Sequence, residues 1–158
     1  MRLSDVLVAE AVRLDLKGTT SEESIVELAH ALSEAIAFPQ PDVMIRLLLE
    51  REELGSPAIG DGIAIPHARI PGLKGLAVGL GLSRAGIDFR AADKKKSHLI
   101  LLLVGPPEGS SLHLKALARI ARLSKDDSLR DRLLKCKTAE EAKKSVADAE
   151  AKYLSVSP

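Results

Sequence analysis

Three features predict a single α/β domain: helical segments toward both ends of the chain, short strand-like apolar runs between them, and one continuous apolar run, Leu99 to Val104. A length of 158 residues suits one domain with a substantial core. The expected architecture is a sheet covered by helices on two faces.

Thr20-Ser21-Glu22-Glu23 has the form of a capping box, and Ile25, Leu28, Ala29, Leu32 and Ile36 follow at helical spacing until Pro39 ends the run. Pro41-Asp42 opens a second helix that Gly55 terminates. Its apolar residues Val43, Ile45, Leu47, Leu48 and Leu49 lie around most of the circumference, so burial on more than one side is expected. Short strands are then predicted at Ile63 to Ile65, Leu76 to Ser83, Ile87 to Phe89 and Leu99 to Val104, the last central. Gly79 and Gly81 share one face of their strand and permit close approach of another element. After the turn Gly105-Pro106-Pro107-Glu108-Gly109, a helix runs from Ser110 to Leu123 with Leu114, Leu117, Ala118, Ile120 and Ala121 as its core stripe. Asp126 or Asp127 caps the next helix, through Leu134, and Thr138-Ala139-Glu140-Glu141 is a second capping box opening a final helix toward Tyr153.

Composition narrows the function. Only two Phe, one Tyr and no Trp leave few rings for stacking on bases, and 23 basic against 22 acidic residues give no global field for a polyanion, so no nucleic-acid partner is expected. Lys94-Lys95-Lys96 is read as a solvated loop cluster. The longest apolar run is far short of the roughly 20 residues that span a bilayer, and no signal-peptide core opens the chain. One cysteine, Cys136, forms no internal disulfide or CxxC motif. A cytoplasmic protein without membrane insertion is expected.

Chemistry falls to the histidines. No two have HxxxH-type spacing, so no metal is expected, and GxSxG, GxxxxGK[ST] and HExxH motifs are absent. His30 reads as a surface residue and His98 as a polar residue at a strand edge. His113, in the first turn of its helix on the core side, is either a buried-edge histidine or a functional one. His67 follows Ile59-Gly60-Asp61-Gly62-Ile63-Ala64-Ile65-Pro66. Pro66 holds Ile65 extended, so the imidazole is delivered in a fixed direction from a strand end, while Gly60 and Gly62 form a weak anion-loop signal. The plain alternative is a turn histidine. A nucleophilic histidine aided by a cation and a second histidine suits transfer of an already activated group.

Three blocks carry a family resemblance: Arg51-Glu52-Glu53-Leu54-Gly55-Ser56, Ile59 to Arg69, and His113-Leu114-Lys115-Ala116-Leu117-Ala118-Arg119-Ile120-Ala121-Arg122-Leu123. In these the chain is similar to the IIA proteins of the bacterial phosphotransferase system, of the fructose/mannitol and nitrogen-regulatory type. The resemblance runs from the Leu3-Ser4-Asp5-Val6-Leu7 opening to the final helix and implies one EIIA type-2 domain over residues 1–158. It also implies a mixed five-stranded sheet with helices on both faces, where the residues alone indicate about four strands.

By the same resemblance His67 accepts a phosphoryl group from the phosphohistidine of an HPr-like carrier, Arg51 lies beside the phosphoryl oxygens, and His113 hydrogen-bonds that group or its acceptor. Ser56, Gly60 and Gly62 are expected in the phosphate environment, and no cofactor is implied. The implied role is a nitrogen-type regulatory phosphocarrier with regulatory target proteins. Its alternatives are a sugar-specific component passing phosphate to a IIB domain and a binding module without phosphotransfer. Relatives often carry Thr where this chain has Pro57, and Gly where it has Ala68. Pro57 has no backbone N–H to offer a phosphate. Leu54, Ile70 and Leu73 are candidates for either a docking patch or the core.

Overall fold

In the computed structural model, which describes residues 2–156, six helices surround a mixed six-stranded sheet. The elements are α1 (Leu3–Val6), β1 (Leu7–Arg13), α2 (Ser21–Ala35), α3 (Pro41–Glu53), β2 (Ala58–Gly60), β3 (Ile63–Ala64), β4 (His67–Arg69), β5 (Ala77–Ile87), β6 (Ser97–Gly105), α4 (Ser110–Ser124), α5 (Asp127–Lys135) and α6 (Ala139–Val156).

The helix boundaries follow the expected chemistry. Thr20 Oγ accepts from Glu23 N at 3.1 Å while the Glu23 carboxylate accepts from Thr20 N at 3.2 Å, closing the first capping box. Asp126 accepts from the Ser128 and Leu129 amides and so caps α5. Thr138 Oγ accepts from Glu141 N at 3.1 Å, and the Glu141 carboxylate accepts from Lys137 N at 2.9 Å, at the start of α6.

The run Leu99 to Val104 is central, as expected. β6 pairs antiparallel with β5 on one side and parallel with both β3 and β4 on the other; β1 lies outside β5, and β2 outside β3. Alternation along β6 sends Leu99, Leu101 and Leu103 to the face covered by α1, α4, α5 and α6, and Ile100, Leu102 and Val104 to the face covered by α2 and α3. Burial on both faces is why β6 reads as an unbroken apolar run.

Several expectations are corrected. β1, β2 and β4 were not anticipated from residue patterns: β1 carries half-buried and exposed residues among its apolar ones, and the other two have three residues each. Ile87 is the end of β5, and no separate strand runs through Phe89. α3 buries a single stripe, Met44, Leu48 and Glu52, with its other apolar residues half-buried. On α4 the core face is His113, Ala116, Ile120 and Leu123, with His113 on the core side as expected, whereas Leu114 and Ala118 are exposed. Gly81 is a true close approach: a Cβ there would lie 2.7 Å from Leu16 Cδ1.

Glu150 of α6 is buried, and its carboxylate accepts from the Leu3 and Ser4 amides, the latter at 2.8 Å, with Arg119 of α4 at 3.9 Å. This ties the start of the chain, the last helix and the helix that carries His113 into one layer.

Candidate active site

His67 opens β4 instead of ending a turn. Pro66 is buried and interrupts the edge strand: Ile65 N donates to the Pro57 carbonyl at 2.9 Å, and the Pro66 carbonyl accepts from Leu103 N at 2.9 Å. The imidazole is half-buried, with Nδ1 at 2.8 Å from the Ile65 carbonyl. A carbonyl only accepts, so Nδ1 carries the proton and Nε2 keeps the lone pair. Burial holds the His67 pKa below its ordinary value of 6.5, the Ile65 bond opposes that shift, and the Arg51 charge adds to it. The ring is thus neutral near pH 7, with its lone pair on Nε2.

His113 stands one turn into α4 with its ring centroid 5.9 Å from that of His67 and the planes 52° apart. It is 3% exposed, and its Nδ1 has no hydrogen-bond partner among the described residues. That nitrogen abuts Gly105, where an added Cβ would lie 3.2 Å from it. With no acceptor for a proton on Nδ1, the neutral ring carries it on Nε2. Burial first, then the charges of His67 and Arg69, hold the His113 pKa below 6.5. The two rings therefore take opposite tautomers, one offering a lone pair from Nε2 and the other an N–H.

Arg51 lies in the last turn of α3, exposed and without an ion pair or hydrogen bond among the described residues. With Glu52, Pro57, Pro66 and His67 it lines a recess of about 10 Å³, scarcely room for one water. Any group bound by His67 would therefore be met at the surface. Next to His67, α4 begins at Gly109 in the left-handed region (φ 81°), with no side-chain cap and no acidic residue in its first turn. Its N-terminal amides and dipole favour an anion there. Arg69, which sequence reasoning did not single out, shares this region; its two-residue spacing from His67 signals a common side only once β4 is recognised.

Gly60 and Gly62 lie elsewhere. Gly62 accepts through its carbonyl from His98 N and Leu99 N, four strand positions from the Leu103 that faces His67, or roughly 13 Å away. Gly60, Asp61 and Gly62 all have positive φ, and Asp93 and Arg130 hold this turn through the Asp61 backbone. Ser56 lies beyond α3 between Gly55 and Pro57, which both line the recess beside His67, and its hydroxyl donates to the Phe89 carbonyl. A larger groove of about 420 Å³ lies beside Gly62, His98 and Arg130; Arg130 there is engaged by Asp127, and His98 by the Ser83 carbonyl. His30 is exposed. Among the described residues no cluster of three His, Cys, Asp or Glu side chains is placed to hold a metal, and no helix is long and apolar enough to cross a membrane.

The family described as "Phosphoenolpyruvate-dependent sugar phosphotransferase system, EIIA 2" matches residues 5–148. The chain belongs to that family. It is 35% identical over 133 residues to a nitrogen regulatory protein of Bradyrhizobium diazoefficiens, covering 84% of this chain and 86% of that one. It is 30% identical over 146 residues to a fructose-specific EIIA component of Haloferax volcanii, covering 92% of each. The crystal structure of IIA-Ntr from Neisseria meningitidis superposes with a TM-score of 0.83 at 28% identity, over 91% of this chain and 98% of that one. The IIA subunit in a solved complex with phosphorylated IIB of the Escherichia coli mannitol system shares the fold, with a TM-score of 0.73 at 20% identity over 89% and 96%. As an EIIA, this chain is a phosphotransfer component.

Proposed function

We propose that the chain, as a single EIIA domain over residues 1–158, carries a phosphoryl group on His67 Nε2. The observation that carries this reading is the Nδ1 of His67 held 2.8 Å from the Ile65 carbonyl, which leaves the lone pair on Nε2, with the His113 ring 5.9 Å away. The His67 Nε2 lone pair attacks phosphorus as the N–P bond of an HPr-like phosphohistidine breaks, and the bonding electrons return to the donor imidazole. Transfer onward reverses these roles. Arg51, the His113 N–H and the first turn of α4 stabilise the phosphoryl oxygens, where charge is greatest in transfer.

The shallow recess and the apolar residues around it favour a protein as the donor. Leu54 (83% exposed), Leu112 (44%) and Leu114 (60%) flank the site from α3 and α4, whereas Ile70 is buried and Leu73 half-buried. Similarity to the Bradyrhizobium protein favours a cytoplasmic regulator whose phosphorylation state alters binding to target proteins. The Haloferax relative favours the second reading, a sugar-specific component that passes phosphate to a IIB domain.

The test is intact mass after incubation with phosphoenolpyruvate, the first enzyme of the system and HPr or its nitrogen-type counterpart. Wild type should gain one acid-labile phosphoryl group and His67→Ala none. Wild type that stays unmodified with every cognate donor would leave only the binding-module reading. Onward transfer to a purified fructose-type IIB domain would favour the sugar branch over the regulatory one.

A further inference from the structure

We propose that Arg69 is a positioning residue for phosphoryl transfer: through Ser110 it fastens the first turn of α4 to the end of β4, and so fixes where His113 stands relative to His67. The consequence for transfer rests on the phosphocarrier reading above; the tether itself does not.

His67 and Arg69 stand opposite Leu103 and Gly105 in the β4–β6 register, so both side chains leave the strand on the α4 side. Arg69 Nη1 donates to Ser110 Oγ at 2.8 Å, joining residues 41 apart in sequence. Ser110 is the first residue of α4, and Gly109 before it gives no side-chain cap. The Arg69 bond is therefore the side-chain tie between this turn and the sheet. His113 follows one turn later with Nδ1 against Gly105, whose carbonyl also accepts from Ile70 N at 2.7 Å. The end of β6, β4 and the first turn of α4 thus close into one unit around the two histidines.

Charge works in the same direction. The groups facing His113 are His67 and Arg69 from β4, with Arg51 of α3 acting on His67 behind them. On α4 itself, Lys115 is exposed and Arg119 lies 3.9 Å from Glu150 of α6, while the first turn contributes no acidic side chain. Cationic neighbours and burial disfavour the imidazolium. Arg69 therefore holds His113 in place and adds to the burial that disfavours its charged form, the neutral ring keeping an N–H to donate.

The experiment follows the ring signals of His113 by NMR against pH in the unphosphorylated chain, in wild type, Arg69→Gln, Arg69→Lys and Ser110→Ala. It then measures phosphoryl transfer from the phosphorylated carrier to the same four proteins. Arg69→Gln should move the His113 titration upward and slow transfer roughly three- to tenfold. Arg69→Lys should restore the titration. Ser110→Ala should titrate near wild type yet transfer slowly. A His113 titration in Arg69→Gln that superimposes on wild type, or undiminished transfer in Ser110→Ala, would overturn the proposal. The titration is read without phosphate, so wild type that accepts none would sink the phosphocarrier reading while leaving the Arg69 measurement intact.

Discussion

Opposite ends of the central strand β6 are flanked by two histidines in similar settings with opposite outcomes. At one end, His67 bonds the Ile65 carbonyl through Nδ1 at 2.8 Å; at the other, His98 bonds the Ser83 carbonyl through Nδ1 at 2.9 Å. Each lies near an arginine and near glycines or the start of a helix. The difference is commitment. Around His98, Arg130 is held by Asp127 and the Asp61 carbonyl, and the ring is wedged between Gly62 and Gly86, within 3.6 Å and 2.9 Å of the positions their Cβ atoms would take. Around His67, the Arg51 side chain has no partner among the described residues, the first turn of α4 has no side-chain cap, and the buried Nδ1 of His113 has no hydrogen-bond partner. The guanidinium beside His98 is engaged through both Nη atoms, with Nε alone unpartnered, whereas the one beside His67 is left open to a ligand.

The sharpest way to break this comparison is to exchange the losses. His67→Ala should abolish phosphorylation measured by intact mass, while His98→Ala should accept the group as wild type does. Equal loss in both would erase the distinction. Next in size, Arg51→Gln should slow transfer by roughly 10- to 100-fold, the scale of one charge-assisted hydrogen bond, with stability changed by no more than about 0.5 kcal/mol because the residue is exposed. A stopped-flow transfer rate equal to wild type would contradict its role.

At the other end the effect should be on folding alone. In Gly86→Ala the new Cβ would meet Lys96 Cβ at 2.7 Å and His98 Cε1 at 2.9 Å, at a φ of 85°. A loss of about 2–3 kcal/mol in urea unfolding is expected, with transfer per folded molecule unchanged. The smallest effect concerns pH. His67 and His113 both titrate below 6.5 when folded and near it when unfolded. Their contribution to stability is whole above pH 6.5 and declines as pH falls toward the folded values, because only the unfolded chain takes up protons in that window. Unfolding curves for wild type and His67→Ala should therefore converge as the pH is lowered from 7. Parallel curves would place the histidine in an unperturbed setting.

Much of this was legible in the residues, for physical reasons. Capping boxes at Thr20 and Thr138 are local chemistry, and β6 announces itself because it is buried on both faces. Pro66 marked the point where a side chain is presented. Nearness in space was harder to read. Gly60 and Gly62 are close to His67 in sequence, yet an extended chain moves away at about 3.3 Å per residue, which carries the turn to the other histidine. Arg69 was hidden for the converse reason: a three-residue strand leaves too short a pattern to show that positions 67 and 69 face the same way. The core side of His113 was read from its spacing, but Leu114 and Ala118 were counted into a stripe that turns away from them, because apolar type alone does not fix which face of α4 is buried.

Pro66 also bears on how copies of this chain behave when crowded together. Along this side of the sheet, the outermost segments are β2 and β4, three residues each, and the proline between β3 and β4 has no N–H to donate. Two molecules meeting along this border find no long run of open peptide groups on which to zip together, so the border resists fibre-like association. The break that presents the reactive ring thus doubles as protection against aggregation, and replacing Pro66 would put solubility as well as chemistry at risk.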